Sequence, residues 1–342
     1  MFCTKPRLLQ NTTKQFLSRR FSAAVSRAAR SSIRIPGLST VHSAVESITD
    51  VEKATDVITE LIQDTQGKVV VITGAGVSTD SGIPDYRGEQ GVYKRNPNHK
   101  PILYPDFIAS QDFRQRYWMR GYLGWSQITK AKPNPTHYHL TWLLEHNYLN
   151  GLITQNVDHL HHDAGVPDES LIELHGTLHR VECLDCNTKM LRDSYQHRIH
   201  ARNPAWANYQ RALRKSNEAP KINPDGDVDL PSTMSYQDFD IPPCLECSSR
   251  RMKPQVVFFG ENIRKDVSEA AENMVKQAGG LLVIGSSLAT YSSFRLARLA
   301  SEHKLPVVIL NKGPTRADPL GTHKIELGCT DVLTRVRERL DQ

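Results

Sequence analysis

Four short runs of the chain are apolar almost from end to end: KVVVIT (68–73), GLITQ (151–155), GGLLVIG (279–285) and LPVVILN (305–311). Runs of this length, rich in β-branched residues, suit strands covered on both faces. Among them lie ATDVITELIQD (54–64) and HYHLTWLLEHNY (137–148), whose apolar positions recur at helical spacing. Strand and helix in alternation predict an α/β fold, a doubly wound, Rossmann-like domain with a parallel sheet. The pattern breaks between 182 and 253. There CLDC opens and CLEC closes a polar stretch that includes NPDGDVDLPS (223–232). Strand-like sequence then resumes at 255–259, and VVFFGE (256–261) reads as a strand by propensity. The expected organisation is a discontinuous domain of residues 46–181 and 254–342 with a small module, 182–253, inserted into it.

Charge adds one feature. Residues 1–45 carry eight Lys or Arg and no acid, the first being Glu46. Leu17, Phe21, Ala24 and Ala28 line one face of a helical wheel, with Arg19, Arg20, Arg27 and Arg30 opposite. An Arg-rich, Ser-rich, acid-free and amphipathic start is the composition of a mitochondrial transit peptide. Without it the body holds 35 basic and 37 acidic residues, a net −2. That body lacks the electrostatic footprint of a nucleic-acid binder. No apolar run approaches 18 residues, so a membrane span is not expected.

Six cysteines follow a plan. Cys183, Cys186, Cys244 and Cys247 form two Cys-x-x-Cys pairs, enough thiolates to close a tetrahedral zinc site with no open position. The 57-residue gap between the pairs is longer than usual for such sites. Two disulfides or a redox pair are the alternatives, and a reducing compartment disfavours the first. A closed site leaves no coordination position for catalysis, so one structural Zn²⁺ per chain is expected. Cys3 falls in the leader, and Cys329, taken by itself, reads as an ordinary buried thiol.

The candidate chemistry lies after the first apolar run, in TGAGVSTDSGIPDYR (73–87). A glycine turn after a strand lets backbone approach a dinucleotide phosphate. The hydride-transfer fingerprint G-x-G-x-x-G fails here, because Thr79 stands at the third glycine position. The acid expected about 20 residues later is also missing, its place taken by the loop YKRNPNHKP. The loop reads as a dinucleotide site without dehydrogenase architecture.

Taken in order, GAGVSTDSGIPDYR, TQNVDHLHHDAG (154–165), LHG (174–176), the Cys-x-x-Cys pairs, VVFFGE, GSSL (285–288) and Asn311 resemble the sirtuin family of NAD⁺-dependent protein deacylases. The likeness spans about residues 50–335 and leans toward the mitochondrial class II branch of sirtuin-4 type. Tyr86, Val157 and Ser286 depart mildly from the family's usual Phe, Ile and Thr. The resemblance implies that Gly74, Ala75 and Gly76 meet the pyrophosphate of NAD. It implies that Asp85, Tyr86 and Arg87 close over the nicotinamide end. Gln155 and Asn156 would lie beside the nicotinamide ribose and Asp158 at the carboxamide. Gly285, Ser286, Ser287, Asn311 and Cys329 would hold the adenosine half. His175 would be the general base, and the VVFFGE backbone would pair with an extended substrate peptide. His159, His161 and His162 are read as non-metal.

By the same resemblance the protein removes acetyl, lipoyl, biotinyl or methylglutaryl-type groups from lysine. NAD is consumed, through nicotinamide release and an ADP-ribosyl-acyl intermediate. Acylated metabolic enzymes of the mitochondrial matrix, such as glutamate dehydrogenase and lipoylated dehydrogenase complexes, are the expected partners, with no nucleic acid and no membrane. Protein mono-ADP-ribosylation is the rival on the same scaffold, and an NAD-sensing scaffold with vestigial catalysis the rival from another class. RQRYWMRGYLGW (114–125) is either a packed helical face or a border of the acyl channel, where an Arg could pair with an acidic acyl group.

Overall fold

The computed structural model describes residues 46–216, 220–230 and 234–342; the expected transit peptide lies outside them. Seven parallel strands form one sheet: β1 (Ser47–Ile48), β2 (Val69–Thr73), β3 (Gly151–Thr154), β4 (Leu171–Glu173), β8 (Gly280–Ile284), β9 (Val307–Leu310) and β10 (His323–Ile325). Their spatial order is β1-β10-β9-β8-β2-β3-β4. The chain runs outward from β2 through β3 and β4, then returns to the other side of β2 for β8, β9 and β10. The order therefore reverses beside β2, the place where open α/β sheets leave a crevice at their carboxyl edge.

The period of two along each strand explains why both faces need cover. Val69 and Val71 point to one face, Val70 and Ile72 to the other. On the first face pack α1 (Val51–Asp64), α5 (Pro135–Glu145) and α11 (Cys329–Leu340), through Ile58, Leu140, Leu143, Val332 and Val336. On the second pack α9 (Lys265–Lys276) and α10 (Tyr291–Glu302), through Val275, Leu296 and Ala300. Asp50 caps α1, its Oδ1 accepting the Lys53 N–H at 2.8 Å.

A second, smaller sheet is antiparallel, with β5 (Gly176–Cys183) between β6 (Lys189–Leu191) and β7 (Met252–Val256). Helices α7 (Arg192–Arg202) and α8 (Pro204–Ser216) follow β6 in the stretch that leads to β7. A run preceding β3 comprises α2 (Val92–Arg95), α3 (Tyr104–Ala109) and α4 (Gln111–Ile128), and the last two share the core of the small sheet. Phe107, Trp118 and Tyr122 pack in one cluster with Tyr195, Ile199 and Phe239. The Trp118 indole donates to Met252 O at 2.9 Å and the Trp125 indole to Asp193 at 2.8 Å, so α4 is stapled to the small sheet and to α7. The short helix α6 (Leu160–Asp163) follows β3.

One expectation needs correction, and one pair of alternatives narrows. VVFFGE is not a strand throughout: β7 ends at Val256, and Phe259 makes only an isolated bridge to Leu103. The Glu261 carboxylate takes the Phe258 N–H at 2.9 Å, which turns the segment out of the ladder. In α4, Arg114 and Arg120 are buried and satisfied within the protein. Arg114 donates to Phe107 O (2.8 Å) and Ile108 O (3.0 Å); Arg120 meets Asp227 (2.9 Å) and Asp229 (3.2 Å). These two guanidiniums favour the packed-face reading of the run, whose third arginine, Arg116, is half-buried. Among the described residues no helix is long and apolar enough to cross a membrane.

Candidate active site

Sheet register sets the site. Thr73 pairs with Thr154 and with Ile284, Ile284 with Leu310, and Thr154 with Glu173. The residues that follow, Gly74, Gln155, Gly285 and Asn311, therefore leave the sheet at one level, with His175 just beyond β4. The sheet brings into one crevice what the sequence scatters over more than 230 positions.

Gly74 and Gly76 are required by close backbone approach. A Cβ on Gly74 would lie 2.7 Å from Ser286 Cβ, and one on Gly76 would lie 2.8 Å from Gly285 Cα. Gly285 itself sits at φ +60°, in the left-handed region, and its carbonyl accepts the Gly76 N–H at 2.9 Å. The β2 and β8 turns are thus interlocked with bare backbone at their contact. This suits a cradle for a dinucleotide backbone, and the fit is carried by glycines that no other residue could replace.

Ser78, inside the same turn, is the hub that sequence reasoning passed over. Its hydroxyl donates to Asp158 Oδ2 at 2.7 Å and accepts from Asn156 Nδ2 at 3.2 Å. Asn156 Nδ2 also donates to Gly74 O at 3.1 Å, and the Leu160 N–H donates to Asp158 Oδ1 at 3.1 Å. Burial raises the pKa of Asp158, and these hydrogen bonds oppose the rise. Gln155 Nε2 reaches Ser286 Oγ at 2.7 Å and Thr73 O at 3.1 Å, tying β3 to the β8 turn. Asp85 caps its own turn through the Gly88 N–H at 2.9 Å. Tyr86 is hydrogen-bonded to Asp225 of the inserted stretch, and burial holds the tyrosine pKa well above its usual value. Arg87 lies over the Tyr93 ring and 3.5 Å from Ser287 Oγ.

His175 is held from both sides. Nδ1 lies 3.1 Å from Gln155 O and Nε2 lies 2.8 Å from Ser292 Oγ on α10. A carbonyl can only accept, so in the neutral ring Nδ1 carries the hydrogen and Nε2 keeps its lone pair. Burial, opposed by the Gln155 carbonyl, pushes its pKa down to about 4. The imidazole is neutral at physiological pH, with a basic nitrogen facing a hydroxyl. Ser292 had no signal in the sequence: the two residues are 117 positions apart.

Cys329 opens α11 beside Asp80 and Lys312, and burial raises its thiol to about 12. His161 is buried with Nε2 3.0 Å from Thr73 Oγ1. His159 and His162 stack with ring centroids 4.2 Å apart and face Glu173 Oε1 at 3.7 and 3.6 Å.

The four other cysteines converge. Their sulfurs lie within 4.8 Å of one another, with Cys183–Cys247 and Cys186–Cys244 both at 3.5 Å. A disulfide needs about 2.05 Å, whereas thiolates about 2.3 Å from one Zn²⁺ stand roughly 3.8 Å apart at tetrahedral angles. Each pair sits in the same knuckle. Cys183 and Cys244 carbonyls accept the N–H of Asn187 and Ser248, both at φ +60°. The donor set and the spacing fit zinc.

A doubly wound parallel sheet with interlocked glycine turns at its switch point, a buried neutral histidine and a four-thiolate knuckle defines a dinucleotide-using enzyme with a structural metal. Residues 74–292 match the Sir2 family. The chain belongs to that family, and NAD⁺ is its co-substrate. It is 46% identical over 271 residues to an NAD-dependent protein deacylase SIR4 of Batrachochytrium dendrobatidis, covering 78% of this chain and 88% of that one. It is 44% identical to the mitochondrial NAD-dependent protein lipoamidase sirtuin-4 of Bos taurus, covering 80% and 82%. A solved structure of Sir2 with a p53 peptide and NAD⁺ superposes with a TM-score of 0.59 at 27% identity, covering 84% of this chain and 98% of that one.

Proposed function

We propose that this protein is an NAD⁺-dependent lysine deacylase of mitochondrial proteins, with His175 as its general base and its inserted knuckle as a structural zinc site. The observation that carries the reading is the convergence of the interlocked glycine turns, the Ser78–Asn156–Asp158 network and the neutral His175 at one edge of the sheet. Bound NAD⁺ supplies an electrophilic ribose carbon that the acyl oxygen of the substrate attacks as nicotinamide leaves. The protein's part is position and protons. Gly74 and Gly76 let the β2 turn close onto the β8 turn, and the backbone so placed would meet the pyrophosphate. Asn156 and Asp158, fixed by Ser78, orient the nicotinamide half. His175 takes a ribose proton at Nε2, and the Gln155 carbonyl at Nδ1–H steadies the imidazolium that results.

The names of the relatives support lipoyl and other acyl-lysine proteins as the substrate class and mitochondria as the place of action. The matrix is the compartment we infer, with acylated metabolic enzymes, glutamate dehydrogenase and lipoylated dehydrogenase complexes among them, as partners. The acid-free leader supports that address. A panel of acyl-lysine peptides incubated with NAD⁺, with nicotinamide release followed, tests the activity. Release should depend on the acyl peptide, and no release with any acyl group would refute the reading.

The base makes a pH prediction. Because the folded enzyme holds His175 near 4, Nε2 stays unprotonated well below the usual histidine midpoint of about 6.5. Activity should hold from pH 7 to about 5 and fall only near pH 4. A half-loss near pH 6.5 in protein still folded by circular dichroism would contradict the assignment.

A further inference from the structure

Lys324, on the three-residue strand β10, is only 2% exposed, and a buried ammonium needs a full set of partners. Its Nζ donates to Gly313 O at 2.8 Å and lies 3.3 Å from Asp318 Oδ1. Asp318, buried too, accepts the Thr315 N–H at 2.9 Å and the Thr315 hydroxyl at 2.5 Å. These contacts pin the loop that follows β9. The Gly313 carbonyl receives a second donor, Asn311 Nδ2, at 3.1 Å, and the same amide nitrogen reaches Lys312 O at 2.9 Å. Both carbonyls can only accept, so the nitrogen of the Asn311 amide must face them and Oδ1 must face away. Lys324 and Asn311 therefore meet on one oxygen. The Arg316 N–H completes the frame by donating to Ser287 O at 2.9 Å, which joins this loop to the turn after β8.

We propose that Lys324 is a positioning residue for the dinucleotide: it fixes Gly313 O, and through it the Asn311 amide, so that Oδ1 is presented as an acceptor at the adenosine end of the crevice. The proposal rests on the reading of Asn311 as an NAD contact. Nothing in it requires Lys324 to touch the ligand.

Lys324→Met keeps the apolar stem and removes the ammonium. The KM for NAD⁺ should rise by about three- to tenfold, the scale of the one neutral hydrogen bond that a misplaced Asn311 Oδ1 would lose. The kcat at saturating NAD⁺ should stay within about twofold, and the KM for the acyl peptide should not move. ADP-ribose, which binds without reacting, should lose affinity by the same factor in calorimetry. Since Lys324→Met leaves Asp318 without its cation, Lys324→Met/Asp318→Asn is measured beside it, with thermal melting to establish folding. Asn311→Ala separates the two ways of failing. If Asn311→Ala leaves the NAD⁺ KM unmoved, the reading of Asn311 is wrong. If it raises the KM while the folded Lys324 variants keep wild-type KM and ADP-ribose affinity, the positioning role is wrong. Equal damage to the NAD⁺ KM, the peptide KM and kcat would mean a general structural effect, and would also overturn the proposal.

Discussion

Replacing His175 with tyrosine is expected to stop acyl removal while leaving nicotinamide exchange into NAD⁺ less affected. Departure of nicotinamide needs the acyl oxygen and the ribose held in line, the role proposed above for the Ser78–Asn156–Asp158 network. It does not need a proton taken at Nε2. That proton matters afterwards, when the acyl group moves to a neighbouring ribose hydroxyl. General-base losses run to about 10²–10⁴-fold, and the deacylation defect should be of that order or larger. Asn156→Ala should damage both steps, because its Nδ2 braces Gly74 O and Ser78 before any bond breaks. Labelled-nicotinamide exchange, run beside product release for both variants, reads the difference. Near wild-type deacylation by His175→Tyr would remove His175 from the mechanism.

Loss of the metal should be as severe for folding. Cys183 and Cys244 are buried, Cys186 and Cys247 exposed, so the knuckle bridges the module's core and its surface. Structural zinc sites contribute about 10–16 kcal/mol of apparent binding free energy at neutral pH. Without that contribution, four thiols a few ångströms apart have little to keep them together. The damage would spread, since the module shares one core with Trp118 and Tyr122 of α4. Purified protein should carry close to one Zn²⁺ per chain, and Cys183→Ala or Cys247→Ala should lower the melting temperature sharply or yield insoluble protein. Elemental analysis showing no zinc in folded, active protein would rule the metal out.

What the sequence made legible follows from how local each feature is. The central strands show because residues such as Val70 and Val71 must both be apolar when each face of the sheet is covered. The glycine turn and the cysteine pairs show because they are contiguous and have few substitutes. Propensity overruns the strand at VVFFGE because one local and one long-range bond end it: Glu261 reaches back to the Phe258 N–H, and the Tyr104 N–H donates to the Phe259 carbonyl. The arginines of α4 were ambiguous for a similar reason. Asp227 and Asp229, which neutralise Arg120, lie more than 100 positions downstream, in the stretch that looks like a featureless insert. Tyr86–Asp225 and His175–Ser292 span 139 and 117 positions, and no periodicity announces either. Ser78 is different. It lies within the glycine-rich turn itself, and a serine between glycines after a strand is ordinary turn chemistry until Asp158 and Asn156 are brought to it by the register of β2 and β3.

Acyl removal by a member of this family consumes NAD⁺. The most direct measurement is the stoichiometry of the reaction on one acyl-lysine peptide, with nicotinamide, freed peptide, ADP-ribose-linked acyl product and NADH quantified together. One nicotinamide and one acyl group carried onto ADP-ribose for each lysine freed, with no NADH, is the predicted result. Acyl loss that proceeds without NAD⁺, or that produces NADH in place of nicotinamide, would overturn that chemistry.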